Sequence, residues 1–323
     1  MATVEPISEI VNIRPRPNAR TAVPTTAPNV PLAHALSKRT SSDATPWWLW
    51  WNILSFDAPT VAVVWSLLFA RSWGLRLGIA EEITLALAVW IIYISDRLFD
   101  GWESADCSEL QERHRFCLRH RAALVWIVLL GILESFYLTA TFLPPTEARA
   151  GMKLAAIVGA YMACIHVGHG RLARFVPKEV AVGILFAVGA TLPIWSRGAE
   201  PSRGMLISIT LFGLTCSLNC LAIEFWEGRT PHDSWRKRWY LSAVPNKSWI
   251  DWIAAGLAGA ALTVFLLRCA KGLPGSELWA ISLSAILIFV INRHAGRFSV
   301  PALRVLADAV LVAAGVIALV NRV

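Results

Sequence analysis

Residues 93–103 read YISDRLFDGWE and follow directly on the apolar run TLALAVWII at 84–92. The run is of the kind that enters a lipid bilayer, yet it ends in Asp96 and Asp100, with Arg97 between them and Glu103 beyond. Burying a carboxylate is costly, so acids at this depth call for a reason. On a helix, residues four apart lie about 40° apart around the axis, so Asp96 and Asp100 share a face with Tyr93. Two carboxylates so placed repel unless a cation or a proton stands between them. A hard divalent ion such as Mg2+ takes one or two carboxylates and fills its other positions with water and phosphate oxygens. The plainer reading is a pair of acids at a membrane surface, solvated or matched by Arg97.

The rest of the chain agrees with a membrane setting. Of its 323 residues, 56% are hydrophobic and only 16% charged, and the mean hydropathy is +0.53. That is too apolar for an ordinary soluble domain. The six cysteines form no CxxC pair and mostly lie in or beside apolar runs, which argues against a disulfide framework or a zinc site. A formal charge of +8 fits basic membrane loops as well as it fits nucleic acid, and its distribution favours the former, so no nucleic-acid partner is expected.

Residues 1–46 carry seven of the seventeen prolines, many Ser, Thr and Arg, and no apolar run of signal-peptide length. They read as a disordered tail preceding a transmembrane domain at 47–323. A hydrocarbon layer about 30 Å thick needs roughly 20 helical residues. Segments suited to it fall at 47–70, 81–100, 122–142, 150–167, 178–195, 204–226, 249–268, 277–292 and 301–321. Backbone groups inside lipid must be satisfied within their own segment, so the expected fold is all-α: a polytopic bundle of nine transmembrane helices. Pro144-Pro145, the run Gly272 to Gly275 and Pro301 supply boundaries. Trp47, Trp48, Trp50, Trp51, Trp195, Trp249 and Trp252 cluster near the ends, at headgroup level.

With each Lys and Arg assigned to the nearest end of these spans, 21 of the 30 fall on the side of the N-terminus and 9 on the other. Basic loops are retained in the cytoplasm. The expected orientation therefore has the N-terminus and the end of the 93–103 stretch cytoplasmic, and the C-terminus on the opposite side.

A second acidic cluster, NCLAIEFWEGRTPHD at 219–233, lies at the same side of the sixth span. Spacings of four and three put Cys220, Glu224 and Glu227 on one face, with Asn219 one step round the helix. Asn219 is placed deep enough to need a partner, either a neighbouring helix or a ligand. Other polar residues lie inside the spans. Glu134, in the third, and Asp308, in the ninth, read as structural pairs or as parts of a proton or ion route, and Asp57, before Pro59, reads as part of a helix break; all three are placed outside the active site. His166 and His169, with His232, have a spacing compatible with a transition metal, or are ordinary surface histidines.

Nine spans with acidic clusters at matching ends of the second and sixth resemble the UbiA superfamily of intramembrane prenyltransferases, over residues 47–321. RLARFVPKEVAVGILFAVGATLP at 171–193 is similar to that family's basic, proline-marked start of a glycine-rich fifth helix. Two departures stand out. Ile92 and Tyr93 occupy the positions of the family's leading Asn and Asp, and Glu224 and Glu227 stand three apart where aspartates are usual.

The resemblance implies Mg2+-dependent transfer of a prenyl group from a prenyl diphosphate to an unidentified acceptor, in a membrane such as the bacterial inner membrane. Asp96, Asp100, Glu224 and Glu227 would be the catalytic metal ligands. Arg97 and Lys178, chosen from a set that includes Arg113, Arg115 and Arg174, would hold phosphate, with Tyr93 and Asn219 also at the substrate and Phe99, Phe225 and Trp226 near the reacting end. The competing reading is a transporter or lipid-binding protein that keeps the scaffold without the chemistry.

Overall fold

The computed structural model describes residues 45–103, 112–166, 177–197, 202–228 and 248–321, with the side chains of 100–103 and 112–115 excepted. Among these residues every regular element is helical. The helices are α1 (Trp50–Ile53, after a 3-10 turn at Trp47–Leu49), α2 (Asp57–Ser72), α3 (Ile79–Glu103), α4 (Glu112–Arg119), α5 (Arg121–Phe142) and α6 (Pro145–His166). They continue with α7 (Lys178–Ala190), α8 (Leu192–Arg197), α9 (Arg203–Glu227), α10 (Ser248–Cys269), α11 (Ser276–His294) and α12 (Val300–Asn321).

Six of these are long and apolar enough to cross a membrane: α5, α6, α9, α10, α12, and α11 with its short 3-10 extension to Arg297. A seventh is gained if the bent pair of Trp47–Ile53 and α2 counts as one span. The protein is thus a helical membrane protein. The expected spans at 81–100 and 178–195 depart from a simple apolar helix for visible reasons. α3 carries acids near both ends, Glu81 and Glu82 in its first turn and Asp96, Asp100 and Glu103 over its last two. The 178–195 segment divides at Thr191, because Pro193 has no N–H to offer the carbonyl four residues back. The segment expected at 150–167 instead starts at Pro145, whose fixed φ suits a first helical position.

The 47–70 segment is broken between Ile53 and Asp57, and its two parts meet at 77°. Ser55 takes φ 60° at the break. Three carbonyls at the break accept side-chain hydrogen bonds: Arg97 Nη1 donates to Asn52 O at 2.7 Å and to Ile53 O at 3.1 Å, and Trp90 Nε1 donates to Leu54 O at 2.9 Å. On the far side, Asp57 opens α2, where its charge suits the helix dipole, and it accepts hydrogen bonds from Asn52 Nδ2 and the Ala58 N–H. The expectation that Asp57 belongs to a helix break is met.

Side-chain pairs fix which helix ends lie together. At one end, Arg197 of α8 binds Glu81 of α3 and Glu147 of α6, while Arg268 of α10 donates to buried Glu277 of α11 at 2.6 Å and Ser208 of α9 donates to it at 3.0 Å. Burial alone would lower the pKa of Arg197, but its bonds to Glu147 and Glu81 outweigh that and hold it above the usual arginine value. Ser72 and Ser276 meet at this end as well. At the other end, Asp96 of α3 meets Lys178 of α7, Glu227 of α9 meets Arg304 of α12, and Asp251 of α10 meets Asn292 of α11. Successive long segments therefore alternate in direction, with α7 and α8 together running from the second end to the first.

Two apolar clusters hold the centre. Trp65 stacks on Phe212 at 4.2 Å between α2 and α9, and Leu218, Ala222 and Trp226 of α9 pack with Ile250, Ala254, Ile288 and Ala307. α7 lies close along α9 because Gly183 has no side chain. A Cβ there would come within 2.4 Å of the Ser217 backbone nitrogen. Small residues allow this approach between apolar helices.

Candidate functional site

The Asp96 end is built in two layers. The outer one is ionic. Lys178 Nζ donates to both oxygens of Asp96, at 2.8 and 3.1 Å, and His166 Nε2 lies 3.3 Å from Asp96 Oδ1. His166 also stacks on Phe99, with ring centres 5.0 Å apart. The start of α7 and the end of α6 thus converge on the face of α3 that the DxxxD spacing singled out. Across the same end, Glu227 is paired with Arg304.

The inner layer lies about a turn deeper. Asn219 Nδ2 donates to Asp308 Oδ1 at 2.9 Å, and the Asp308 carboxyl faces that of Asp57 within hydrogen-bonding reach. Tyr93, Asn219, Cys220 and Asp308 line a cavity of about 20 Å3 together with Gly183 and Ala58. That is room for a water molecule or a small ion. Asn219 is 4% exposed, and its Oδ1 is buried with no hydrogen-bond partner.

Of the residues singled out in the sequence, Asp96 and Lys178 are brought into contact with each other, and Tyr93 and Asn219 into one cavity. Arg97 is 5% exposed and its hydrogen bonds go to the carbonyls at the helix break. Glu227 meets Arg304, a residue the sequence reading did not select. Glu224 lies on α9 one turn before Glu227 and is half-buried. Trp226 is buried and donates to Asn292 Oδ1 at 3.0 Å, while Phe225 packs edge-on against Trp249. The side chains of Asp100, Glu103, Arg113, Arg115, Arg174, His169 and His232 lie outside those described, as does the tail before residue 45.

Among the described residues no three His, Cys, Asp or Glu side chains gather as they would around a metal ion. Two of the four acids expected to hold Mg2+ have cationic partners, Lys178 for Asp96 and Arg304 for Glu227. The side chain of Asp100, another acid of the expected set, lies outside those described. Asp308, set aside in the sequence reading, lines the cavity, and Asp57, likewise set aside, lies beside it. The available signal was their occurrence as ionisable residues inside apolar spans, which marks such positions as functional by default. No family model, curated protein or solved structure matches the chain.

Proposed function

We propose that this is an intramembrane prenyltransferase with nine membrane passes in a UbiA-like arrangement, which moves a prenyl group from a prenyl diphosphate to an acceptor still to be identified. The observation that carries this reading is the meeting, at one end of the bundle, of Asp96 on α3 with Lys178 on α7, above a cavity lined by Tyr93 and Asn219. The alternating direction of the helices and the surplus of basic residues at this end support a cytoplasmic placement, as in a bacterial inner membrane.

The chemistry demanded is the departure of diphosphate from an allylic carbon, which concentrates negative charge on the leaving group. Lys178 and Arg304 are the cations of this end that would take phosphate oxygens as they leave their acids. Asp96, Asp100, Glu224 and Glu227 would then be free for the Mg2+ that accompanies a diphosphate. Ring faces at Tyr93 and Phe99 suit an allylic cation.

A second reading has its own support. Asp96 and Glu227 are each matched by a cation, as in a scaffold that binds lipid or moves a solute without prenyl chemistry. Binding of fluorescent farnesyl and geranylgeranyl diphosphates to the purified protein separates the two. Transfer requires binding that chelation of Mg2+ weakens at least about tenfold, and that Asp96→Ala, Lys178→Ala and Glu224→Ala each weaken as well. Binding indifferent to chelator and to all three substitutions would leave the scaffold reading.

A further inference from the structure

The first short helix lies across the bundle. α2 packs along α12 and α3, and the segment Trp47–Ile53 meets α2 at 77°, so it runs close to the plane of the membrane and not through it. Its inner side is buried Asn52 and Ile53, whose carbonyls Arg97 holds at the Asp96 end. Its outer side is aromatic. Trp47, Trp50 and Trp51, spaced three and four apart, are all exposed. Phe56 beyond them is exposed too, with its ring centre 5.3 Å from that of Trp51. Exposed indoles on a short helix in this attitude belong at headgroup level, where one edge of the ring is wet and the rest is in oil.

A basic run borders the same patch. Arg119, His120 and Arg121 are consecutive exposed residues where α4 gives way to α5. The Phe116 ring joins them to the indoles: its centre is 6.0 Å from that of Trp50, edge-on, and 4.7 Å from that of His120. Arg121 is the first residue of α5, and Val125 and Trp126, one turn further, are exposed apolar side chains of a membrane span. The two guanidinium groups therefore stand at the edge of the hydrocarbon. A soluble acidic partner would neutralise the arginines and leave the indoles bare, whereas a phospholipid covers both.

We propose that Trp47, Trp50, Arg119 and Arg121 form a headgroup site for an anionic phospholipid of the leaflet at the Asp96 end, with the Trp47–Ile53 segment lying flat in that leaflet. The forked guanidinium donors take phosphate oxygens, and the indoles lie against the glycerol and the upper acyl chains. A zwitterionic lipid offers the same phosphate but brings an ammonium group beside two arginines, so a lipid with net negative charge is preferred. The site sits on the rim of the bundle, apart from the cavity, and does not depend on prenyl chemistry.

The test uses the full-length protein in phosphatidylcholine nanodiscs doped with a photoreactive phosphatidylglycerol or, separately, with a photoreactive phosphatidylcholine, and the cross-linked peptides are mapped by mass spectrometry. Labelling of the peptides that carry residues 47–56 and 116–126 should be about fivefold higher with phosphatidylglycerol. Arg119→Gln combined with Arg121→Gln should lower it to the phosphatidylcholine level, as should salt near 1 M, where charges are screened beyond about 3 Å. Arg297→Gln removes an exposed arginine from another element at the same end and should leave the preference intact. Equal labelling by the two lipids, or a preference that survives the double substitution, would overturn the proposal. So would a preference lost equally in Arg297→Gln, since that is the behaviour of a diffuse basic surface and not of a site.

Discussion

At the scale of single residues, Arg97 shows why charge near a membrane surface cannot be assigned from sequence alone. It sits inside a motif that suggests phosphate or metal, beside two aspartates, and any count of basic residues files it with the loops. In the fold its guanidinium is almost fully buried and closes the carbonyl end of a broken helix, while its charge reaches Asp308. Removing it strands two buried acceptors and two acids together. We therefore expect Arg97→Leu to destabilise the protein by about 2–4 kcal/mol, with Arg97→Lys recovering part of the loss. Thermal unfolding of the ligand-free protein reads this directly, and an unchanged midpoint would show that Arg97 serves only a ligand.

Asp96, by contrast, was legible. Its spacing from Asp100 marked the right face of α3, and Lys178 was singled out from the start of α7 that meets it. What no spacing could show is that Asp57 and Asp308, near opposite ends of the chain, face one another. That contact follows from α12 packing on α2, a pairing decided by the shapes of Val64, Trp65, Leu311 and Gly315 rather than by any motif.

At the scale of elements, the helices were readable because apolar length and proline placement act locally. Pro301 stands at the second position of α12, and Gly272, at φ 70°, turns the chain out of α10. The interruptions were harder to see. The break before Asp57 contains no glycine, so Ser55 carries the left-handed backbone itself, and its buried hydroxyl has no partner. Ser55→Gly relieves both conditions. It should raise stability by about 1 kcal/mol, visible as a higher unfolding midpoint, since glycine accepts this conformation without strain. A lower midpoint would mean that the Ser55 side chain contributes something the backbone argument omits.

At the scale of the whole molecule, the two polar ends differ in construction. The Glu147 end is fastened by Arg197 and Arg268, each bonded to acids of other helices, whereas the Asp96 end keeps its ion pairs above a cavity. The proposed orientation, drawn from the basic surplus, puts the second end in the cytoplasm. Cys269 is exposed at the first end and should react with a membrane-impermeant maleimide in intact cells once the other cysteines are replaced by serine. In a cysteine-free background, Ser299→Cys at the other end should react only after permeabilisation. The reverse labelling pattern would invert the topology and move the proposed site to the opposite face.

α5 and α6 are the least buried of the long apolar helices, although Glu147 at the start of α6 is held by Arg197. They are joined by Leu143 and Pro144 alone, and only 11% and 6% of their apolar windows are buried. Each is 22 residues long, or about 33 Å at 1.5 Å per residue, so both are cut close to the width of the oil they sit in. A thinner or thicker bilayer therefore presses first on this hairpin. Because α6 ends at His166, against Asp96, a tilt of this hairpin in a bilayer of different thickness would reach the ionic layer first.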